Sequence, residues 1–180
     1  MAYSLIFYII RIMDTILAKK INQMAREDQK IRNGHKKGIK LDLSIEKNNT
    51  AALKKIIKKY GWPTTSLVGK KASFNAWLLA QHADHDRKFQ ETVLMLLKRI
   101  SKTTHDVDTS TIAYLTDRLL VAKKKQQRFG TQFKFDKKGR LILYPIKNLK
   151  GIDLLRKEYH LPPLKDFIKM ADKFNAKLEQ

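Results

Sequence analysis

Three polar residues, Asp28, His82 and Asp117, extend helical stripes that are otherwise apolar, and their side chains could carry acid–base chemistry. This spacing turns the three side chains inward, where an imidazole beside a carboxylate can take up and release protons. If the chain is an enzyme, we expect His82, oriented by Asp117, to form its catalytic proton-transfer pair. The stripes are Leu17, Ile21 and Met24 before Asp28; Phe74 and Leu78 before His82; and Ala113 and Val121 on either side of Asp117.

The same helices carry further polar residues that we expect to line one cleft between them, roofed by Trp62 and the loop at Gly130. Arg32, one turn beyond Asp28, and Arg118 are the groups that could stabilise an anion. The cleft would therefore bind a small polar or anionic ligand. The predicted ligand-binding residues are Asp28, Gln29, Arg32, Trp62, Gln81, Asp84, Arg118, Gly130, Thr131 and Gln132.

A structural explanation of these residues stays open. Asp28 and Arg32 could form an i, i+4 ion pair worth about 0.2–0.5 kcal/mol if exposed, and His82 could simply be a buried histidine bonded to a neighbour. Burying Asp117 without a partner would cost several kcal/mol, so a partner is expected. In this alternative the polar groups form a hydrogen-bond network that fixes the register of the helices.

Several classes of protein are excluded by missing signatures. The chain has no G-x-x-x-x-G-K-[ST] phosphate loop, no G-x-G-x-x-G dinucleotide motif, no H-E-x-x-H and no G-x-S-x-G elbow. The absence of cysteine excludes disulfides, zinc–thiolate sites and iron–sulfur clusters. His82, Asp84 and His85 cannot all face one ion, because residues 82 and 84 diverge by about 200° around a helix. We therefore predict no metal and no cofactor.

The charge supports a competing class, a basic nucleic-acid-binding module. The 180 residues include 38 Lys and Arg against 17 Asp and Glu, a formal net charge of +21. Such a surface can contact phosphates without sequence preference, but the lysine runs are dispersed and no known nucleic-acid-binding motif accompanies them. The mostly apolar stretch from Met1 to Ile10 is far shorter than the roughly 20 residues of a membrane span, so we expect no transmembrane segment and a cytoplasmic location.

The elements that must position these residues are mainly α-helical, in a single compact helical domain with one β-hairpin near residues 131–144. Apolar periodicity predicts a first helix that ends at Asn33-Gly34 and a second that begins at Thr50 as its cap. Asp136 to Gly139 supply the hairpin turn. Residues 1–20 form an amphipathic helical extension, 21–168 the main domain and 169–180 the end of the last helix. The other predicted helices cover about 72–82, 86–101, 110–125, 149–159 and 164–174.

Six short motifs follow one another along the chain. They are Asp28-Gln29 with Arg32, Gly61-Trp62-Pro63-Thr64 with Ser66 to Gly69, Gln81 to Asp84, Ala113 to Arg118, Gln127 to Gln132, and Arg156 with Leu161 to Leu164. With these motifs the chain resembles, from about Ile21 to Phe167, an uncharacterised bacterial family known only as a domain of unknown function. The resemblance implies that these polar positions belong together, and it brings no established activity. Two departures make this chain more basic: Lys123 to Lys125 replace an expected glycine-containing turn, and Lys147 stands near an expected acidic residue.

Overall fold

The computed structural model describes residues 2–36 and 43–176 and is 69% helical. The predicted mainly helical fold with one hairpin is confirmed. Within the described residues the chain divides into two compact units, residues 1–108 and 109–180. The first contains α1 (Ala2–Lys36), α2 (Leu43–Tyr60), α3 (Thr65–Gln81) and α4 (Arg87–Thr103); the second contains α5 (Thr109–Ala122), β1 (Phe133–Phe135), β2 (Leu141–Leu143), α6 (Ile152–Glu158) and α7 (Leu164–Ala176).

In the first unit α3 is the central helix, because α1, α2 and α4 all pack against it. The faces that meet are completely buried at Ile21, Leu53, Ala76 and Val93. Alanines on the buried face of α3 allow the neighbouring helices to approach closely. The junction between α3 and α4 is the short segment 82–86, which brings the polar motif after Gln81 to the end of the helix.

Local sequence signals set several helix boundaries in this unit. Gly61 has φ +77° directly after α2 and its N–H bonds to the carbonyl of Ile57, which is the glycine stop that the sequence predicts. Gly69, at φ +79°, breaks α3 into two helical segments. The carboxylate of Asp86 accepts from the N–H of Phe89 at 3.0 Å and so caps α4.

The boundary predicted between the first two helices is wrong on both sides. α1 continues through Asn33 and Gly34 to Lys36, because a long helix tolerates one glycine at a cost of about 1 kcal/mol. α2 begins at Leu43, so Thr50 is not a cap but lies inside the helix, where its hydroxyl donates to the carbonyl of Glu46 at 2.9 Å. Residues 37–42, between these two helices, lie outside the described residues.

Two predicted apolar stripes are also only partly buried. Phe74, expected to point inward before His82, is 47% exposed, since α3 buries Ala72, Ala76 and Leu79 instead. The third helix also starts at Thr65, earlier than predicted, and a different face of it packs in the core. Ile16 on α1 is exposed, whereas the adjacent Leu17 is buried.

The second unit is built around a long loop between α5 and the hairpin. β1 and β2 are antiparallel, with Phe133 opposite Leu143, and Gly139 adopts φ +76° in the predicted turn. α7 packs against β2 and α6. The core beside this loop contains Ala113, Phe129 and Leu161. Within the loop 127–132, Gln127, Phe129, Gly130 and Thr131 are buried, whereas Arg128 is exposed.

Candidate functional site

Five side chains of the first unit form one connected set of ion pairs, which we term the acid–base cluster. Its members are Asp28 and Arg32 from α1, Glu46 from α2, and His82 and His85 from the α3–α4 junction. Asp28 is buried at 4% exposure, whereas the side chains of His82 and His85 are 16% and 30% exposed. The cluster therefore runs from the core to the surface, with its imidazoles at the accessible edge.

The hydrogen bonds of the cluster alternate between acid and base. Nδ1 of His82 lies 2.7 Å from Oδ2 of Asp28, and Nε of Arg32 donates to both oxygens of that carboxylate at 3.1 Å. Nη2 of Arg32 donates to Oε2 of Glu46 at 2.9 Å, and Oε1 of Glu46 lies 2.9 Å from Nδ1 of His85. Arg32 thus joins two carboxylate–histidine pairs.

The ionisation of Asp28 fixes the role of His82. Burial alone would raise the pKa of Asp28, but the hydrogen bond and charge of His82 and those of Arg32 outweigh it, so the pKa lies below its ordinary value of 3.8. An ionised carboxylate has no proton to donate. The Nδ1 of His82 must therefore be the donor, which leaves the lone pair of the neutral ring on Nε2.

Nε2 of His82 makes no hydrogen bond within the part of the chain that the structure describes. The same residues include a second unpaired polar atom beside it in sequence, the buried Oε1 of Gln81. A ring held at one nitrogen by a buried carboxylate, with the other nitrogen free, can accept and return a proton. A ligand could form hydrogen bonds with these two atoms, Nε2 of His82 and Oε1 of Gln81.

The remaining predicted residues of the first unit have separate positions. Gln29 joins the cluster, because its Nε2 donates to Oδ2 of Asp28 at 3.0 Å. Asp84 is exposed and bonds to Arg87 at 2.8 Å and to the amide of Gln90 at 3.2 Å. Trp62 is buried at 4% exposure. Across residues 2–36 and 43–176, no group of three or more His, Asp or Glu side chains is arranged to hold a metal ion.

Asp117, in the second unit, has the partners that its burial requires. The carboxylate is completely buried and accepts from the N–H groups of Arg128 at 2.7 Å, Phe129 at 3.1 Å and Thr131 at 3.0 Å, and from the Thr131 hydroxyl at 3.0 Å. These bonds fold the loop 127–132 around one anionic centre. The orientation of His82 by Asp117 stays a prediction; the partner of His82 within the first unit is Asp28.

The side chain of Arg156 binds carbonyl groups of the same loop. Its guanidinium is completely buried and donates to the carbonyls of Phe129 at 2.5 Å, Gly130 at 3.1 Å and Pro162 at 2.7 Å. Burial lowers the pKa of Arg156, while nearby anionic groups oppose this. Asp117 therefore collects N–H groups and Arg156 collects carbonyls, and the loop is fixed between them.

The other predicted residues of this loop complete its packing. The side chain of Gln132 donates to the carbonyl of Tyr114 at 3.4 Å, and Gln127 is buried with its amide bonded to main-chain groups of Gln132 and Tyr144. Gly130 has φ +70° and is buried. Arg118 is half-buried on α5 beside Asp117.

Four contributors were missed by sequence reasoning as site residues. Glu46 lies before Thr50, where the second helix was predicted to begin, and His85 was weighed only as a metal ligand. Gln127 and Arg156 belong to the quoted motifs, but their types gave no sign that main-chain groups would be their partners. For Glu46, the earlier helix start was the missing signal, since it places the carboxylate on the first turn of α2.

The chain is a mainly helical protein in which a buried carboxylate gathers polar partners in each unit, Asp28 in the first and Asp117 in the second. Residues 16–178 match the model of the family of unknown function DUF6624, and the chain belongs to that family. No curated protein and no solved structure matches the chain. Among the described residues, no helix is both long and apolar enough to cross a membrane.

Proposed function

We propose that the first unit binds a small polar or anionic ligand at the acid–base cluster and that His82 exchanges a proton with it. The observation that carries this proposal is the asymmetry of the His82 ring: Nδ1 lies 2.7 Å from a buried carboxylate, whereas Nε2 has no partner among the described residues. Asp28 would orient the ring and stabilise the imidazolium that forms when Nε2 takes a proton. The predicted proton-transfer role of His82 is kept, with Asp28 as the orienting group.

The charges of the cluster support a ligand that is anionic or becomes so during proton transfer. Arg32 lies between two carboxylates, so its charge is already compensated within the cluster. A proton on His82 or His85 would then add positive charge at the accessible edge. A ligand that releases a proton to Nε2 would leave its negative charge beside the imidazolium that it creates.

A ligand screen on the full chain tests binding. The probes are small carboxylates, phosphate esters and nucleosides, each measured by thermal shift and then by the ring resonances of His82. The variant is His82→Gln, and the matched control is His105→Gln, an exposed histidine of the same unit. We expect a ligand that shifts the His82 ring, binds the control as it binds the native chain, and is lost in His82→Gln.

Chemical modification tests the free nitrogen without knowledge of the ligand. Diethyl pyrocarbonate acylates accessible neutral imidazoles, and mass spectrometry reports each histidine separately. We expect His82 to react, to be protected by a bound ligand, and to react more slowly in Asp28→Asn, because the ring then loses the carboxylate that holds Nδ1 as the donor and leaves the lone pair on Nε2. His105 serves as the internal reference in both proteins.

The structural alternative predicts a different pattern. If the cluster only fixes helix register, His82→Gln should lower the free energy of unfolding by about 1–3 kcal/mol for each orphaned buried group. No probe would then depend on His82, and the ring would resist acylation. That combination would refute the proposed function. If His82 is instead a functional residue, we expect its replacement to change the free energy of unfolding little, or even to raise it.

A further inference from the structure

The second unit has an open cavity of about 440 Å³ beside the loop 127–132. This volume lies in the range of small-molecule sites, about 300–1,000 Å³. Three of its lining side chains are cationic and none is acidic, while its apolar part comes from α6. The lining residues are Arg128, Lys147, Asn148, Lys150, Gly151, Ile152 and Leu155.

The three cations are not neutralised by neighbouring acids. Within the described part of the chain, none of Arg128, Lys147 and Lys150 forms an ion pair with a carboxylate. The guanidinium of Arg128 instead lies over the ring of Phe129, 5.2 Å from its centroid. Like charges gathered around one concavity repel each other and attract an anion. The charge of the lining residues therefore favours an anionic ligand over a neutral one.

Hydrogen bonds hold the main chain that carries these three side chains. The N–H of Arg128 donates to Asp117 at 2.7 Å, and the N–H of Lys147 donates to the carbonyl of Gln127 at 2.8 Å. The N–H of Lys150 donates to Oδ1 of Asn148 at 3.0 Å. A ligand that binds here has little backbone to order, which lowers the entropic cost of binding.

We propose that this cavity binds a phosphate monoester. The phosphate dianion would lie between Arg128, Lys147 and Lys150, because a guanidinium binds two phosphate oxygens at once and ammonium groups add point charges. The organic part of the ester would pack against Ile152, which is buried, and Leu155, which is half-buried. The proposal concerns the second unit alone and does not depend on the proposed function.

Binding is measured by calorimetry on the full chain with phenyl phosphate, inorganic phosphate and benzyl alcohol as probes. The site variants are Arg128→Gln and Lys147→Gln/Lys150→Gln. The matched control is Lys137→Gln/Lys138→Gln, which removes the same charge from exposed lysines of the hairpin turn. Circular dichroism checks that every variant is folded. None of these side chains is buried, so folding should be retained.

We expect phenyl phosphate to bind more tightly than inorganic phosphate, and benzyl alcohol not to bind. Each site variant should weaken phenyl phosphate binding at least about tenfold, which corresponds to ~1.4 kcal/mol, while the control leaves it unchanged. Equal loss in the control would show a diffuse charge effect and overturn the proposal. So would the absence of phenyl phosphate binding, or binding of an oligothymidylate without terminal phosphates that phenyl phosphate fails to displace.

Discussion

Replacement of the buried carboxylate of Asp117 by an amide is the sharpest test of how the loop 127–132 is held. Asp117→Asn keeps the size of the side chain but turns one of its two acceptor oxygens into a donor. Oδ1 accepts from the N–H groups of Arg128 and Phe129, and Oδ2 accepts from Phe129 and from both the N–H and the hydroxyl of Thr131. Either orientation of the amide therefore leaves at least one main-chain N–H facing a donor.

The cost follows from these bonds. An orphaned buried N–H costs about 1–3 kcal/mol, and the bonds that remain lose the strength of a charged acceptor. We expect Asp117→Asn to lower the free energy of unfolding by about 2–4 kcal/mol, a large fraction of the roughly 5–15 kcal/mol that stabilises a native protein. Thr131→Val, which removes only the hydroxyl bond, should cost about 1 kcal/mol.

Urea denaturation followed by circular dichroism measures both variants. The free energy difference is taken from the shift in midpoint at an unchanged slope. A loss below about 0.5 kcal/mol in Asp117→Asn, within the range of surface substitutions, would refute the view that this carboxylate holds the loop. A loss in Thr131→Val as large as in Asp117→Asn would place the main contribution on the hydroxyl instead.

The remaining predictions concern pH, backbone conformation and charge. The folded pKa of Asp28 is held below 3.8, so its contribution to the free energy of unfolding is present above that pH and is lost as the pH falls through the folded value. Asp28→Asn should therefore weaken the loss of stability at acid pH. An unchanged loss of stability at acid pH would contradict this. Lys124 adopts φ +56°, so Lys124→Gly should stabilise the fold by about 0.5–1 kcal/mol in urea, whereas Lys124→Ala should not. At Gly130 an added Cβ would lie 2.6 Å from Cδ1 of Ile146, so Gly130→Ala should lower the free energy of unfolding by about 2 kcal/mol or more. Adding Ile146→Val, which removes Cδ1, should restore part of that stability. Strictly additive effects in the double variant would contradict a clash between the two side chains. Binding to duplex DNA should be weak and fall steeply between about 50 and 200 mM salt, which fluorescence anisotropy can follow; tight binding at the higher salt would favour the nucleic-acid class.

The sequence predicts the helices and the hairpin because their signals are local. Gly61 and Asp136 act within their own turns, and the apolar stripe before Asp28 belongs to one helix. The start of α2 was missed because Thr50 has the residue type of a cap, yet tertiary packing buries it inside the helix. The conformational preference of one residue contributes less free energy than the burial of a whole helical face, so packing decides where the helix begins.

The pairing of polar groups depends on contacts that are distant in the chain, and periodicity carries no information about them. Periodicity indicates that Asp28 points inward, but its partner His82 is 54 residues away. For Asp117 the partners are N–H groups of residues 128–131, which any sequence could supply. A residue type therefore reveals that a buried charge needs a partner, while only the fold determines which one.

The two buried carboxylates differ in what they leave free, and this difference decides where function is proposed. Asp117 is surrounded by donors of its own loop, so its charge is used to shape the chain. Asp28 instead binds the side chains of Gln29, Arg32 and His82, and His82 has a second nitrogen that forms no bond within the described residues. A carboxylate that stabilises main-chain N–H groups contributes to folding, whereas one that orients an ionisable ring also changes the chemistry of that ring. We therefore propose the proton-transfer role for the cluster around Asp28, whereas the loop held by Asp117 carries Arg128.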